Sequence, residues 1–374
     1  MNPINSYDRY QRQLILKGFG KSAQDKLFKA SVLVIGAGGL GCPLLQYLVA
    51  AGVGHIGIVD DDLVSLSNLH RQVLYTMEDI GSPKVNAAKK RLQSMNDSVD
   101  IVTWNERWNQ QLCINHFNRY DIIVDATDNF SSRYLINDAC VLMGKPLVFG
   151  AVSQYEGQVA VFNYSMDGSN PSVNYRDLFP VPPNNGEVLN CSEAGVLGML
   201  PGIIGTMQAT EVIKMLTGIG NILSNKLLTY NVLSNEIYQL NLQKNPSSSE
   251  AIPNSIADFL KMDYEKHCDI SQYNIAELNV DEWNNIKAEL VLVDIREISE
   301  YPKLNGLAHL QIPLSELHHH MHELKDSNLI FVCKSGRRSL QAMMMLKNTS
   351  HAGEAFSLKG GVDAMLMHQI ISES

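Results

Sequence analysis

Cys333 is followed within five residues by Lys334, Arg337 and Arg338, in the run CKSGRRS. Such a run can hold sulfur as an anion. Residues 333–338 are enough to wrap a sulfur atom with successive backbone N–H groups. The cations add positive charge, and the helix expected to follow adds its N-terminus. All three favour thiolate over thiol and stabilise a bound persulfide. Far upstream, Gly36, Gly38 and Gly41 form GxGxxG directly after an apolar run. Glycines at this spacing allow a tight turn and let backbone N–H groups approach phosphate oxygens at a helix N-terminus. Asp60 follows about 20 residues on, where a carboxylate can accept from ribose hydroxyls. On its own this pattern suits a nicotinamide-dependent dehydrogenase equally well.

The residues after it weigh against hydride transfer. Asp60, Asp62, Asn68, Arg71 and Gln72 share one segment, DDDLVSLSNLHRQ; Lys84 follows in GSPK, and Arg9 and Arg12 stand in RYQRQ near the start. Cations beside phosphates suit charge stabilisation during in-line attack on phosphorus. Asp128 closes the run YDIIVDATD, at the strand end where open α/β sheets bind ligands. A carboxylate there can hold Mg²⁺, which bridges phosphate oxygens.

The elements that must position these groups follow from the pattern. SVLVIGAGGLG (31–41) reads as a buried strand running into the glycine turn, 43–52 as a helix and HIGIVD (55–60) as a second strand. A βαβ unit of this kind implies a parallel sheet with right-handed crossovers. Residues 195–218 begin glycine-rich and become a helix capped at Gly218. A Pro/Ser-rich stretch near 244–256 is the best linker candidate. After it ELVLVDIRE (289–297) and NLIFVCKSGRRS (328–339) begin a second α/β pattern, long enough for one small domain.

The chain has 374 residues and a formal net charge of −9, so nonspecific binding to nucleic acid is not expected. No signal peptide and no membrane span are expected. The six cysteines are scattered without a CxxC pair, which points to a cytoplasmic protein with reduced thiols and against a thiol-rich zinc site. His318, His319, His320 and His322 lack the supporting Cys or carboxylate spacing of a metal site and read as a solvated segment.

RYQRQ, GAGGLG, the DDD…SNLHRQ segment, GSPK, DATDN with Arg133 after it, and CSEAGVLGMLPGIIG together resemble the MoeB/ThiF/HesA family of adenylyltransferases, over roughly residues 5–245. The resemblance implies a Rossmann-like, doubly wound domain that binds ATP. The glycines Gly36, Gly38, Gly39 and Gly41 would cradle the nucleotide and Asp60 the ribose. Asp62 shares that segment, and Asn68, Arg71, Gln72 and Lys84 would contact the phosphates. Asp128, with Asn129 beside it, would handle Mg²⁺ and positioning. Arg12 resembles an arginine that reaches the partner subunit's site, which implies a homodimer. The implied substrate is a ubiquitin-like sulfur-carrier protein ending in Gly-Gly, serving molybdopterin or thiamine synthesis, whose C-terminal carboxylate attacks the α-phosphorus of ATP to give an acyl-adenylate. Cys191 matches a crossover-loop cysteine that, in some members, links covalently to the carrier. Members commonly bind structural zinc through two CxxC pairs. Here Asn174 and Asp177 stand where the first pair is expected and the serines of NPSSSE (245–250) where the second is, so no structural zinc is expected.

CKSGRRS resembles the active-site loop of rhodanese sulfurtransferases, over roughly 268–374, supported by LVDIRE with Asp294 and Arg296, by IPLSEL and by LKGGVDAM. The implied role of Cys333 is a persulfide carrier that receives sulfur from a donor and passes it to the activated carrier. The expected organisation is an adenylation domain at 1–245, a linker at 246–267 and a smaller α/β rhodanese domain at 268–374. A noncatalytic scaffold that binds a ubiquitin-like protein, and less so a nicotinamide-dependent oxidoreductase, are the competing readings.

Overall fold

The computed structural model describes residues 7–165, 171–180, 182, 195–246, 248–264, 276–347, 349 and 351–372. These form two compact units that divide between residues 264 and 276.

The first unit is built on eight strands: β1 (Ser31–Ile35), β2 (His55–Val59), β3 (Asp100–Trp104), β4 (Ile122–Asp125), β5 (Leu147–Ser153), β6 (Glu156–Phe162), β7 (Lys226–Asn231) and β8 (Glu236–Asn241). Their order in the sheet is β3-β2-β1-β4-β5-β6-β7-β8. Strands β1 to β5 pair in parallel and β5 to β8 antiparallel. The inner parallel strands β1, β2 and β4 are short, rich in Val, Ile and Leu and almost wholly buried, as strands covered by helices on either side must be. Alternate residues feed two cores. Val32, Val34, Ile56 and Ile58 pack with the helices Gly41–Ala51, Lys84–Met95 and Met199–Thr217, while Leu33, Ile35 and Ile123 pack with the helix Phe130–Leu142. The sheet is therefore doubly wound. Its strand order reverses between β1 and β4, and the crevice beyond their C-terminal ends is the place where such sheets bind ligands.

Gly218 caps the helix Met199–Thr217 in the left-handed region, at φ 80°, and its N–H donates to Lys214 O at 2.8 Å.

The stretch read as a linker is not a bare connector. Within it, Ile256–Lys261 is helical, Phe259 is fully buried, and the Tyr264 hydroxyl donates to Asp138 Oδ2 at 2.8 Å. The same carboxylate receives both Arg176 Nε and Nη2 at 2.7 Å. Polar composition sets the average character of the stretch, but two aromatic anchors are enough to fasten it to the first unit's core.

A hydrogen-bonded clip joins the two segments expected to lack zinc ligands. Asp177 Oδ2 accepts from Asn174 N (2.8 Å) and Asn174 Nδ2 (2.9 Å), closing a capping box. Asp177 Oδ1 accepts from Asn245 N (2.9 Å) and Ser248 Oγ (2.6 Å). Asp177→Ala removes a cap and strands these donors. It is expected to lower stability by about 2 kcal/mol, read as a lower denaturant midpoint at unchanged slope.

The second unit is a five-stranded parallel sheet of β9 (Glu277–Leu278), β10 (Val291–Asp294), β11 (Leu310–Gln311), β12 (Leu329–Val332) and β13 (Ala355–Leu358), in the order β11-β10-β12-β13-β9. The central strand β12, LIFV, is wholly buried, and Cys333 is the residue that follows it.

Candidate functional sites on the two units

In the first unit the glycine turn sits on β4 as closely as its residues allow. A Cβ on Gly36 (φ 101°) would lie 2.5 Å from Ala126 O, and one on Gly41 would lie 2.1 Å from Gly36 O. Both positions need glycine. Asp60, just beyond β2, holds the turn from the side: its Oδ2 accepts from Ala37 N at 2.8 Å and its Oδ1 from Asp62 N at 2.9 Å. Tyr75 Oη donates to Ala37 O at 2.7 Å. At the start of the helix Gly41–Ala51, Cys42 N donates to Gly38 O at 2.9 Å and Leu44 N to Leu40 O at 3.4 Å, and Pro43 has no N–H, so donors for an anion must come from the glycine turn itself.

Lys84 is 4% exposed, with Nζ 2.6 Å from Asp62 Oδ2 and 3.9 Å from Asp60 Oδ1. Burial raises the carboxyl pKa of Asp60, and the Lys84 charge opposes the rise. Arg71 and Gln72 come from the segment that follows the 3₁₀ turn Leu66–Asn68. Their side chains flank the turn: Arg71 Cγ would lie 3.6 Å from a Cβ on Gly39, and Gln72 Nε2 3.6 Å from one on Gly38. Gln72 is buried, and its Oε1 is a buried acceptor with no protein partner. Two predicted contacts have structural duties. Asn68 Oδ1 accepts from Ser65 N at 3.3 Å, and Asn129 Oδ1 caps the helix Phe130–Leu142 by accepting from Ser132 N at 2.9 Å. Asp128 is exposed, two residues past the Ala126 that packs on Gly36.

The structure thus brings Gly36, Gly38, Gly39, Gly41, Asp60, Asp62, Asn68, Arg71, Gln72 and Lys84 to one end of the sheet, with Asp128 and Asn129 past β4. Arg12 is not brought there. Gln13 Nε2 donates to Ala51 O at 3.3 Å, which sets the short helix Gln11–Leu14 at the C-terminal end of the helix Gly41–Ala51. Eleven helical residues place that end about 16 Å from the glycine turn. Cys191 lies outside the described residues. Burial pushes the thiol of Cys42, beside the turn, up to about 12, away from the thiolate a nucleophile needs.

The sequence reading missed several supports of this site. Gln208, fully buried, donates Nε2 to Asp125 O at 2.7 Å from a helix 83 positions away. Asp125 ends β4 with Oδ1 accepting from Thr127 N at 2.9 Å and Oγ1 at 2.7 Å. Its pKa is raised by burial and drawn back by the Arg133 charge. No local pattern announces Gln208; the strand-end position alone could have marked Asp125.

Among the described residues, the one group of three or more metal-ligating side chains within mutual reach is Asp60, Asp61 and Asp62. The histidine cluster does not form one: His320 Nδ1 lies 3.2 Å from Glu323 Oε1 on an exposed segment.

In the second unit Cys333 is 1% exposed and the Gly336 N–H donates to its Sγ at 3.2 Å. Gly336 (φ 93°) turns the loop back, and Gly361 lets it sit on the next turn, since a Cβ there would lie 2.1 Å from Cys333 O. Val362 N donates to Cys333 O at 2.8 Å and Asp363 N to Lys334 O at 3.0 Å. The expected charges are arranged unequally. Lys334 is exposed, whereas Arg338 is turned into a two-pronged pair with Glu300, at 2.6 and 2.7 Å, and does not stand as a bare cation over the sulfur. Arg338 also holds the Glu300 carboxyl below its usual range, against the effect of its burial. Asp294 and Arg296 form a buried pair at 2.7 Å, and Arg296 Nη1 donates to Pro302 O at 2.9 Å, fixing the segment that carries Glu300.

Comparison with known proteins places both units. The ThiF family profile matches residues 10–251 and the rhodanese-like domain profile residues 280–368. A protein of Thermus thermophilus named "Sulfur carrier protein adenylyltransferase" is 51% identical over 239 residues, covering 64% of this chain and 88% of that one. A Mycobacterium tuberculosis protein named "Probable adenylyltransferase/sulfurtransferase MoeZ" is 37% identical over 369 residues, covering 95% of this chain and 92% of its own. Among solved structures, E. coli MccB with ATP aligns with a TM-score of 0.55 at 22% identity, over 64% of this chain and 73% of that one, a likeness of fold. No helix among the described residues is long and apolar enough to cross a membrane.

Proposed function

Because the chain belongs to the ThiF family and carries a rhodanese-like domain after it, we propose that it uses ATP to adenylate the C-terminal glycine of a ubiquitin-like sulfur-carrier protein and then transfers sulfur to form a thiocarboxylate. The observation that carries the adenylation half is Lys84, a cation 4% exposed and shared between Asp60 and Asp62 beside the glycine turn. Phosphoryl chemistry needs a buried positive charge there, and hydride transfer does not.

In this reading the N–H groups of the glycine turn receive phosphate oxygens. Asp60 has lone pairs left for ribose hydroxyls after accepting from two backbone N–H groups. Arg71, Lys84, Asn68 and Gln72 neutralise and orient the phosphates while a carrier carboxylate oxygen attacks the α-phosphorus. The bond to the bridging oxygen breaks and pyrophosphate leaves. Asp128, exposed past β4, would hold Mg²⁺, which supplies further neutralisation at phosphate oxygens; Asn129 keeps that strand end in place by capping the next helix. The terminal sulfur of a Cys333 persulfide then attacks the acyl carbon and AMP leaves. A second thiol cleaves the acyl disulfide so formed, and we assign Cys191 a covalent part in this transfer.

Further parts of the proposal are a homodimer, no structural zinc and a cytoplasmic setting with reduced thiols. The distance of Arg12 from its own glycine turn supports a role in a second subunit's site. Leu66, Val73 and Met77, 64%, 63% and 65% exposed, offer apolar surface a second subunit would cover. Asp177 with Asn245 and Ser248 is a clip without thiolate or imidazole, a donor set unsuited to tetrahedral zinc. The thiocarboxylate would supply sulfur to molybdopterin or thiamine synthesis.

ATP–pyrophosphate exchange tests the reading. With a panel of carriers ending in Gly-Gly, exchange is expected to depend on one of them and to vanish when its terminal glycine is removed. Exchange with no carrier, despite folded protein that binds ATP, would favour a scaffold.

A further inference from the structure

We propose that Ser339 and Ser357 form a buried hydroxyl relay that turns a hydrogen-bond donor toward the Cys333 sulfur when the sulfur becomes anionic. The proposal rests on the reading of Cys333 as the sulfur carrier and names the side chains that tune it. Both serines are fully buried. Ser339 Oγ lies 3.7 Å from Cys333 Sγ, 2.8 Å from Ser357 Oγ and 2.8 Å from Gly336 O.

A serine hydroxyl has one proton to give and two lone pairs with which to accept. With Cys333 as a thiol, the Ser339 proton goes to Gly336 O, and Ser339 Oγ accepts from Ser357 and from the thiol S–H. When the thiol loses its proton to solvent, the sulfur needs donors. The Gly336 N–H is already one, at 3.2 Å. Rotation about one C–O bond redirects the Ser339 proton from Gly336 O to Sγ, and Ser357 continues to donate to Ser339. The loop carbonyl loses one partner, and the sulfur gains a charge-assisted one, the stronger type. Ser357 keeps the rotated state from leaving a buried lone pair unmet.

Among the described residues, few charged groups lie on the loop and on the elements packed against it. Lys334 is exposed, and Arg338 is paired with Glu300. Asp294 at the end of β10 and Arg296 just past it are paired with each other, and Lys359 follows β13, with Asp363 in the helix Gly361–Met367 after it. Replacing a serine leaves all of them in place, so a change in sulfur ionisation reads the hydroxyls.

The test is the pH dependence of Cys333 alkylation by iodoacetamide in the full chain, with the modified peptide identified by mass. Ser339→Ala is expected to raise the midpoint by about one pH unit, that is, about tenfold less thiolate at pH below it. Ser357→Ala is expected to shift it the same way by about threefold in thiolate, and Ser339→Thr, which keeps the hydroxyl, to return it to the wild-type value. The pH profile of sulfur transfer to cyanide should move with the midpoint. Should Ser339→Ala fail to fold, Ser357→Ala carries the same test. An unmoved midpoint in a folded alanine variant overturns the relay. A midpoint that moves in a chain whose Cys333 never accumulates persulfide from thiosulfate leaves the relay standing and overturns the persulfide reading.

Discussion

Lys84→Met is expected to lower carrier-dependent ATP–pyrophosphate exchange roughly 10²- to 10³-fold, the loss that follows removal of one preorganised charge or donor at a reacting centre. The lysine is held in place before any ligand arrives, by Asp62 at 2.6 Å and Asp60 at 3.9 Å, so it has little to reorganise when charge builds on the phosphates. The substitution also leaves a buried carboxylate without its counter-charge. Burial already raises the Asp60 pKa, and Lys84 is the largest influence drawing it down. Without Lys84 the folded-state pKa of Asp60 rises further above its unfolded value. A carboxyl raised on folding contributes stability below its unfolded pKa and loses it as pH climbs through the folded one. The stability gap between Lys84→Met and wild type should therefore widen as pH climbs through the raised pKa of Asp60, by on the order of 1–3 kcal/mol. Exchange measured at the lower pH, where the variant is the better folded, separates lost chemistry from lost fold. Mixing Lys84→Met with Arg12→Ala subunits sharpens the assignment. If Arg12 serves the partner's nucleotide, one site of the mixed dimer carries both defects and the other carries none, and exchange returns. If Arg12 serves its own subunit, every site carries one defect and exchange stays low.

The parts of these sites that could be read from the chain are those whose chemistry lies in local spacing. Gly36, Gly38 and Gly41, Asp60 at the next strand end, and Cys333 opening a short basic loop each declare themselves within a few residues, because strand, turn and helix follow one another directly. What could not be read is the long-range partner of each group. Gln208 reaches Asp125 O only because a helix more than eighty positions away lies over the sheet. Arg338, counted from its type as a cation for the sulfur, finds Glu300 across 38 positions and directs both terminal nitrogens, Nη1 and Nη2, to it. Ser339 and Ser357 meet because the helix Arg337–Lys347, which follows β12, lies against β13, the strand beside β12 in the second sheet, an order no local pattern encodes. The linker reading of 246–267 misleads for the opposite reason: it carries the Pro/Ser-rich composition of 244–256 over residues that include Phe259 and Tyr264, whose burial fastens them to the first unit.

Cys333→Ser is expected to abolish sulfur transfer while leaving ATP–pyrophosphate exchange within about twofold of wild type. The hydroxyl cannot carry sulfane sulfur, and at neutral pH it lacks the nucleophilic anion that a thiol supplies, so transfer from thiosulfate to cyanide should fall by at least on the order of a hundredfold. Exchange should persist because the acyl-adenylate forms before sulfur arrives, and because Cys333 belongs to a different compact unit from the glycine turn. Substitution by serine also keeps the packing of a position only 1% exposed, so the fold is not the variable. Mass spectrometry of the carrier after incubation with ATP, magnesium and a sulfur donor gives the decisive reading. Wild type should yield carrier with one oxygen replaced by sulfur, and Cys333→Ser should yield none while still releasing pyrophosphate. A thiocarboxylate formed by the serine variant at the wild-type rate would mean that sulfur enters through another thiol. Cys191 would then be the first to examine, since Cys42, Cys113 and Cys140 are buried thiols whose pKa values burial drives upward, away from the thiolate that the chemistry requires.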